Sequence, residues 1–330
     1  MATLDLGAYL TISEILRRED PGGRLAEIVD VLSQENHILD YVTWIQCNNG
    51  TYHEDTRAVS EPSGAERSYD EGIAAEAGVT EKVTEPTCIL SGLSEVDVKK
   101  ARNAPGGEGA FRIQEDSFFL KGMTKTMVSR LFDGDRASDS RRINGINTRT
   151  DYNTLSSSYT FDNADGNASA TANKTSVYFI QFGNKKVNLI YPRGGSAAGG
   201  EFPIKMEDYG KSIIDQSGTS QTKKYPAYQT WFDLDFGFFI HDPRCIKRIV
   251  NISTSNIDGV DDFAWHEDPM IDAFHQLEYG GEGTVILCNR TVLAQAHKRA
   301  NEKGNAYFTV QMEGEGPFAH PVVRFEGIPM

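Results

Sequence analysis

Residues 231–244 read WFDLDFGFFIHDPR, and within them Phe232, Leu234, Phe236, Phe238 and Ile240 recur at every second position. In an extended chain, alternate side chains point to opposite faces. Five consecutive apolar residues on one face predict a half-buried β-strand with Asp233 and Asp235 on its wet side. Two carboxylates this close can also do acid–base chemistry, but only if one sits in an apolar pocket that raises its pKa. The strand stops at Asp242-Pro243, and the next segment, RCIKRIVNIST, places Ile246, Val250 and Ile252 on one face. The short punctuation predicts that the two strands are antiparallel neighbours, each spanning roughly 30 Å over nine residues.

Other elements follow from the same kind of pattern. Leu25, Ile28, Val29 and Leu32 fall on one helical face after the breaker Pro21-Gly22-Gly23. Phe119, Met123, Met127 and Leu131 predict the longest helix, over Glu115–Phe132, ending at Gly134. Ser94–Lys99 reads as a capped helical turn, and SVYFIQFGNKKVNLIY as two strands joined by a hairpin turn at Gly183–Lys186. A helix over Pro269–Tyr279, a strand TVILC, a helix over Thr291–Glu302 and the closing strands AYFTVQM and VVRFEGIPM complete an α+β chain with no β-α-β rhythm.

Between the strand-like YVTWIQ and the next confident element lies Thr51–Thr87, which carries nine acidic residues against Arg57, Arg67 and Lys82. Its apolar residues are small and scattered, so it has no core of its own. Such an excursion is either disordered or packs on another molecule. The only basic cluster is Arg130, Arg136, Arg141, Arg142 and Arg149, with no aromatic residue from Arg136 to Arg149 to stack on bases. Its two readings are a solvated loop and a set of guanidinium contacts to an acidic neighbouring surface.

Composition narrows the class. The 330 residues, 39% hydrophobic, are enough for a genuine core. A net charge of -14 argues against sequence-specific DNA binding, which needs clustered cations on phosphates. Cys47, Cys88, Cys245 and Cys288 lie far apart with no metal-ligand spacing, as expected of four reduced thiols. The N-terminus does not read as a signal peptide, and no apolar run is long enough to span a membrane. RGGSAAGGEF lacks the Lys-Ser/Thr of a phosphate loop, and WHEDP lacks the second histidine of a zinc helix; its acidic residues read as the start of a helix.

The order of features resembles one family. REDPGGRLAEIVDVLSQENHILDYVTWIQCN, LSEVDVKKA, FRIQEDSFFLKGMTKTMVSRLFDGD, INGINTR, HDPRCIKRIVNI and VILCNRTVLAQ through FEGIPM are similar to the major capsid proteins of short-tailed double-stranded DNA phages, which adopt the Hong Kong 97-type capsid fold. The resemblance covers nearly the whole chain. It implies an N-terminal arm and helix in 1–50, an E-loop in 51–92, a spine helix and the start of the P-domain in 93–150, loops and long P-domain strands in 151–255, and an A-domain in 256–330. Because the long strand pair precedes TVILC, whereas in the best-known member it follows the A-domain, permuted connectivity is expected.

The implied function is self-assembly, as hexamers and pentamers, into the icosahedral shell around the packaged genome. Expected partners are scaffolding, portal and cement or decoration proteins, with weak nonspecific contact to double-stranded DNA and none to membrane. The resemblance implies a virion protein assembled in the host cytoplasm, with no catalytic, metal or cofactor site. Candidate interaction residues are Glu54, Arg57, Glu66, Arg67 and Glu71 in the E-loop, and Arg136, Arg141 and Arg142 in the basic loop. Some relatives cross-link through a Lys and an Asn; Lys82 is the only lysine of Thr51–Thr87, so a noncovalent shell is expected. Two rivals from other classes are a metal-assisted hydrolase using Asp233, Asp235 and His266, and a carbohydrate-binding or tail module on antiparallel sheet.

Overall fold

The computed structural model describes residues 38–104, 106–164, 174–193, 204–215, 224–254, 265–280, 283–300, 308–313 and 320–330. The helix expected at Arg24–Leu32, the rest of the arm before residue 38, and most of the glycine-rich loop lie outside them. The chain divides into two compact units, which among the described residues comprise 88–130 and 204–236 in the first and 38–87, 131–193 and 237–330 in the second.

In the first unit, β4 (Cys88–Asp97) and β8 (Ile204–Asp215) flank β9 (Lys224–Ile240) in an antiparallel sheet. Asp97 ends β4 and caps α2 (Val98–Asn103) by accepting the Lys99 N–H. The helical turn expected from Ser94 therefore begins three residues later, and Ser94 itself is strand. Gly106 and Gly107 take positive φ of 85° and 84°, a bend that admits glycine most easily, and α3 (Gly107–Asp133) starts there. The predicted helix is right but begins eight residues earlier, because Gly107–Ala110 carry no periodic apolar signal. Phe111, Glu115, Met123 and Met127 are buried at spacings of four and eight residues, and on the same stripe Met123 and Phe119 lie over Gly92 of β4 while Phe119 stacks on Phe232 at 5.7 Å. Each fully buried large apolar side chain contributes about 2 kcal/mol.

The second unit holds a four-stranded sheet in the order β11 (Thr284–Leu287), β6 (Lys174–Gln181), β10 (Ile246–Ser253) and β5 (Thr160–Asp162). Its core gathers Val177, Phe179, Ile249, Ile252, Trp265, Met270, Ile286, Val292 and Phe325, bringing in α5 (Asp268–His275), α6 (Arg290–Ala300) and β13 (His320–Phe325). β12 (Phe308–Glu313), β13 and β14 (Ile328–Pro329) form a small sheet. β7 (Val187–Tyr191) lies between β1 (Trp44–Gln46) and the last four residues of β9. Two short helices, α1 (Ile38–Tyr41) and α4 (Thr150–Asn153), and the hairpin of β2 (Tyr52–Ser60) and β3 (Val79–Pro86) complete the unit.

Two expected hairpins do not form. β9 pairs with β4, β7 and β8, whereas β10 pairs with β5 and β6, so the Asp242-Pro243 turn carries the chain from one sheet to another. The turn at Gly183–Lys186 likewise separates β6 from β7. The reason is burial. Val177–Gln181 and Val187–Ile190 are buried on both faces, and each strand is central in its sheet with two other neighbours. The β9–β10 pair on which permuted connectivity rested is therefore absent. β9 itself runs 17 residues; its alternation holds through Phe236 and then gives way to Gly237–Ile240, all buried.

Candidate assembly surfaces

The excursion at Thr51–Thr87 is a two-stranded ribbon. Arg57 lies opposite Glu81 and the two pair at 3.0 Å, while Lys82 reaches Glu54 at 2.6 Å on the other face. Residues 58–82 are exposed without exception. Within the tip the Arg67 guanidinium donates to the Glu71 carbonyl, the Ser68 N–H to the Glu71 carboxylate and the Gly64 N–H to Glu76, and Glu66 faces solvent. Val59, Ile73 and Val79 are more than half exposed, and Tyr69 is 99% exposed.

The root of the ribbon is anchored, in contrast to its tip. Glu85, on β3, is buried and pairs with the Arg149 guanidinium at 2.6 Å; Arg149 also donates to the Asn144 carbonyl. Gly237 admits the Pro86 carbonyl and the Ile190 side chain, which a Cβ would meet at 2.9 Å and 2.7 Å. His53, on β2, packs edge-on against Phe239.

The basic loop is a closed structure tied to the end of α3. The Gly145 N–H donates to the Gly134 carbonyl at 2.8 Å, the Thr148 hydroxyl donates to the same carbonyl, and Asn147 donates to Asp133. A Cβ at Gly145 would lie 2.5 Å from the Phe132 carbonyl oxygen, so residues other than glycine do not fit. These contacts join the LFDGD and INGINTR segments. Arg141 and Arg142 both contact Asp139, at 3.0 Å and 3.2 Å, and the Arg141 hydrogen bond lowers the Asp139 carboxyl to about 2. The Arg141 side chain is nevertheless 87% exposed, and Arg136, whose N–H donates to Asn144, points its side chain outward.

The predicted interaction residues thus fall in two groups within one unit, five on the ribbon and three on the loop. Sequence reasoning missed Asp139, which fixes both arginines, and the anchoring role of Arg149 with Glu85. The Asp-x-Arg-Arg spacing at 139–142 was a usable signal; the Arg149–Glu85 pair, 64 residues apart, had none. Asp233 and Asp235 lie on β9 in the first unit and His266 in the second. Asp233 accepts from the Ser91 hydroxyl at 2.5 Å, and burial, then the charge of Asp233, raises Asp235. Among the described residues no cluster of three or more His, Cys, Asp or Glu could hold a metal. His266 precedes α5, which starts with Asp268 and Pro269 as its sequence implied.

The model of the family Major capsid protein GP7 matches residues 20–330. No curated protein matches. Among solved structures, that of bacteriophage Epsilon15 is similar at 26% identity, covering 99% of this chain and 95% of that one with a TM-score of 0.74. Weaker likenesses are to the capsid of a native GTA particle (9% identity, 70% and 94% covered, TM-score 0.44) and the bacteriophage JBD30 capsid (12%, 82% and 84%, 0.43). The fold is the Hong Kong 97-type capsid fold. With the match running over nearly its whole length, the chain belongs to the family Major capsid protein GP7 and is a phage major capsid protein that forms the icosahedral shell.

Proposed function

We propose that the subunit closes its shell without covalent cross-links, using the β2–β3 ribbon as the E-loop and the 134–149 loop as a second contact, with α3 as the spine helix. The observation that carries this reading is the ribbon's continuous exposure from 58 to 82. A two-stranded ribbon has marginal stability alone, and one that also displays Tyr69 and Ile73 is completed by a surface from another copy. The ribbon tip is acidic and the loop displays Arg136, Arg141 and Arg142, so contacts between like subunits gain specificity from charge. Repetition by symmetry, as hexamers and pentamers, lets weak contacts add up to a closed particle.

The remaining roles follow from chemistry and family. A chain with net charge -14 repels packaged DNA, so wall contacts are weak and nonspecific. Scaffolding, portal and decoration proteins complete the head, assembly takes place in the host cytoplasm, and the subunit works as a structural protein without catalysis. The test is electron microscopy with light scattering on the full chain and on a variant in which residues 62–77 are replaced by a tight turn. Shells, tubes or curved sheets from the full chain and small species from the folded variant support the reading; equal assembly by both refutes it. A subunit ladder surviving boiling in detergent would refute the noncovalent part.

A further inference from the structure

The ribbon's root contains two histidines that share one aromatic neighbour. His53 on β2 and His241 just beyond β9 lie with ring centroids 5.6 Å apart, and each packs edge-on against Phe239, at 4.6 Å and 4.5 Å. His241 donates from Nδ1 to the Asp55 carboxylate at 2.6 Å. His53 Nδ1 and His241 Nε2 are buried and have no hydrogen-bond partner. Two bare imidazole nitrogens thus share an apolar box with Phe239, and Cys47, Ile190 and Val83 also pack around that ring.

We propose that His53 and His241 form a proton-gated latch that seats the ribbon on Phe239 near neutral pH and releases its root on acidification. His241 holds the Asp55 carboxylate at its Nδ1, away from the bare His53 Nδ1. A proton on His53 then brings a cation into the apolar site beside Phe239, and the cost of burying a charge makes release favourable. Burial, and next the charge of His241, hold His53 below its ordinary value of 6.5, against the smaller opposing effects of Asp55 and the Gln46 carbonyl. Although burial works the other way, the His241 hydrogen bond holds Asp55 below its ordinary range, so it stays ionised in mild acid.

The other charged groups around the box are already engaged. Glu85, opposite His53 on β3, is held by Arg149; Arg57, beyond Asp55, is held by Glu81; and Asp242, next to His241, is held by Arg244. Burial pushes the Cys47 thiol up to about 11, so it stays neutral. A proton binds His53 more weakly in the latched state than in the released state, so proton uptake favours release. The latch is complete above about pH 6.5 and weakens as pH falls below it. The proposal concerns the root within one chain and holds whatever surface the tip docks on.

The test is amide hydrogen exchange on the full-length chain at pH 7.5 and 5.5, corrected for the intrinsic pH dependence, with His53→Phe as the non-titrating variant. Peptides over 45–60 and 79–87 are expected to lose protection several-fold in acid, while β6 and β10 keep theirs; His53→Phe is expected to abolish the loss. No acid effect, an effect of opposite sign or the same loss in the variant would overturn the latch. If His53→Phe does not fold, a histidine NMR titration of the unmodified chain decides. A His53 midpoint clearly below 6.5 supports the proposal, and one at or above 6.5 overturns it.

Discussion

Arg149 and Glu85 join the end of the basic loop to the root of the ribbon through a 2.6 Å ion pair whose side chains are only 17% and 10% exposed. Truncating one partner of such a pair leaves the other charge poorly solvated. Arg149→Ala is expected to destabilise the subunit by about 3 kcal/mol. Arg149→Lys keeps the charge but not the forked reach to the Asn144 carbonyl, and should lie between. Urea unfolding measures both, and a wild-type midpoint for Arg149→Ala would remove the pair from the account of the root.

Gly145 approaches the Phe132 backbone too closely for any side chain. Gly145→Ala must displace main chain, so a loss of roughly 3 kcal/mol is expected. Gly72, with open space around it, is the control: Gly72→Ala should stay within about 0.5 kcal/mol of wild type. The same unfolding experiment reads both.

Charge reversal at Arg141 and Arg142 should leave the thermal midpoint unchanged and impair assembly, because these guanidiniums make surface contacts with Asp139 and face outward. Light scattering follows assembly and circular dichroism follows the fold. Normal particles from the double variant would remove the loop from the interface.

Burial raises the four thiols, Cys47 to about 11 and Cys88, Cys245 and Cys288 to about 12, with the Asp235 charge adding to Cys88 and the Asp242 charge to Cys245. At pH 7.5 a thiol reagent should find no fast-reacting group until urea is added, when four are titrated. Because the folded state disfavours the thiolate, stability should fall as pH rises above about 9, the unfolded value, toward 11–12. A rapid native reaction at neutral pH would contradict this burial.

Local pattern was legible where one face of an element meets a core. The alternation of Phe232, Leu234 and Phe236 identified β9, and the four-residue spacing from Phe119 to Leu131 identified α3. Strand partners were not legible, since a turn at Gly183 or Pro243 looks the same whether the chain folds back or crosses to another sheet. The doubly buried runs Phe179–Gln181 and Phe238–Ile240 held a hint, because such strands need neighbours on both sides. At the proposed assembly surfaces, composition singled out the ribbon and the arginines, but neither the Glu85–Arg149 anchor nor the His53–His241 pair leaves any trace in local order.

The ribbon's exposure has a consequence for how this gene tolerates change. Nothing between 58 and 82 is buried, so substitutions there escape the selection that acts on folding, and an assay of soluble subunit would score most of them as silent. If the ribbon is the contact proposed above, their effects surface in the yield of finished particles, where each change is multiplied across every copy in the lattice.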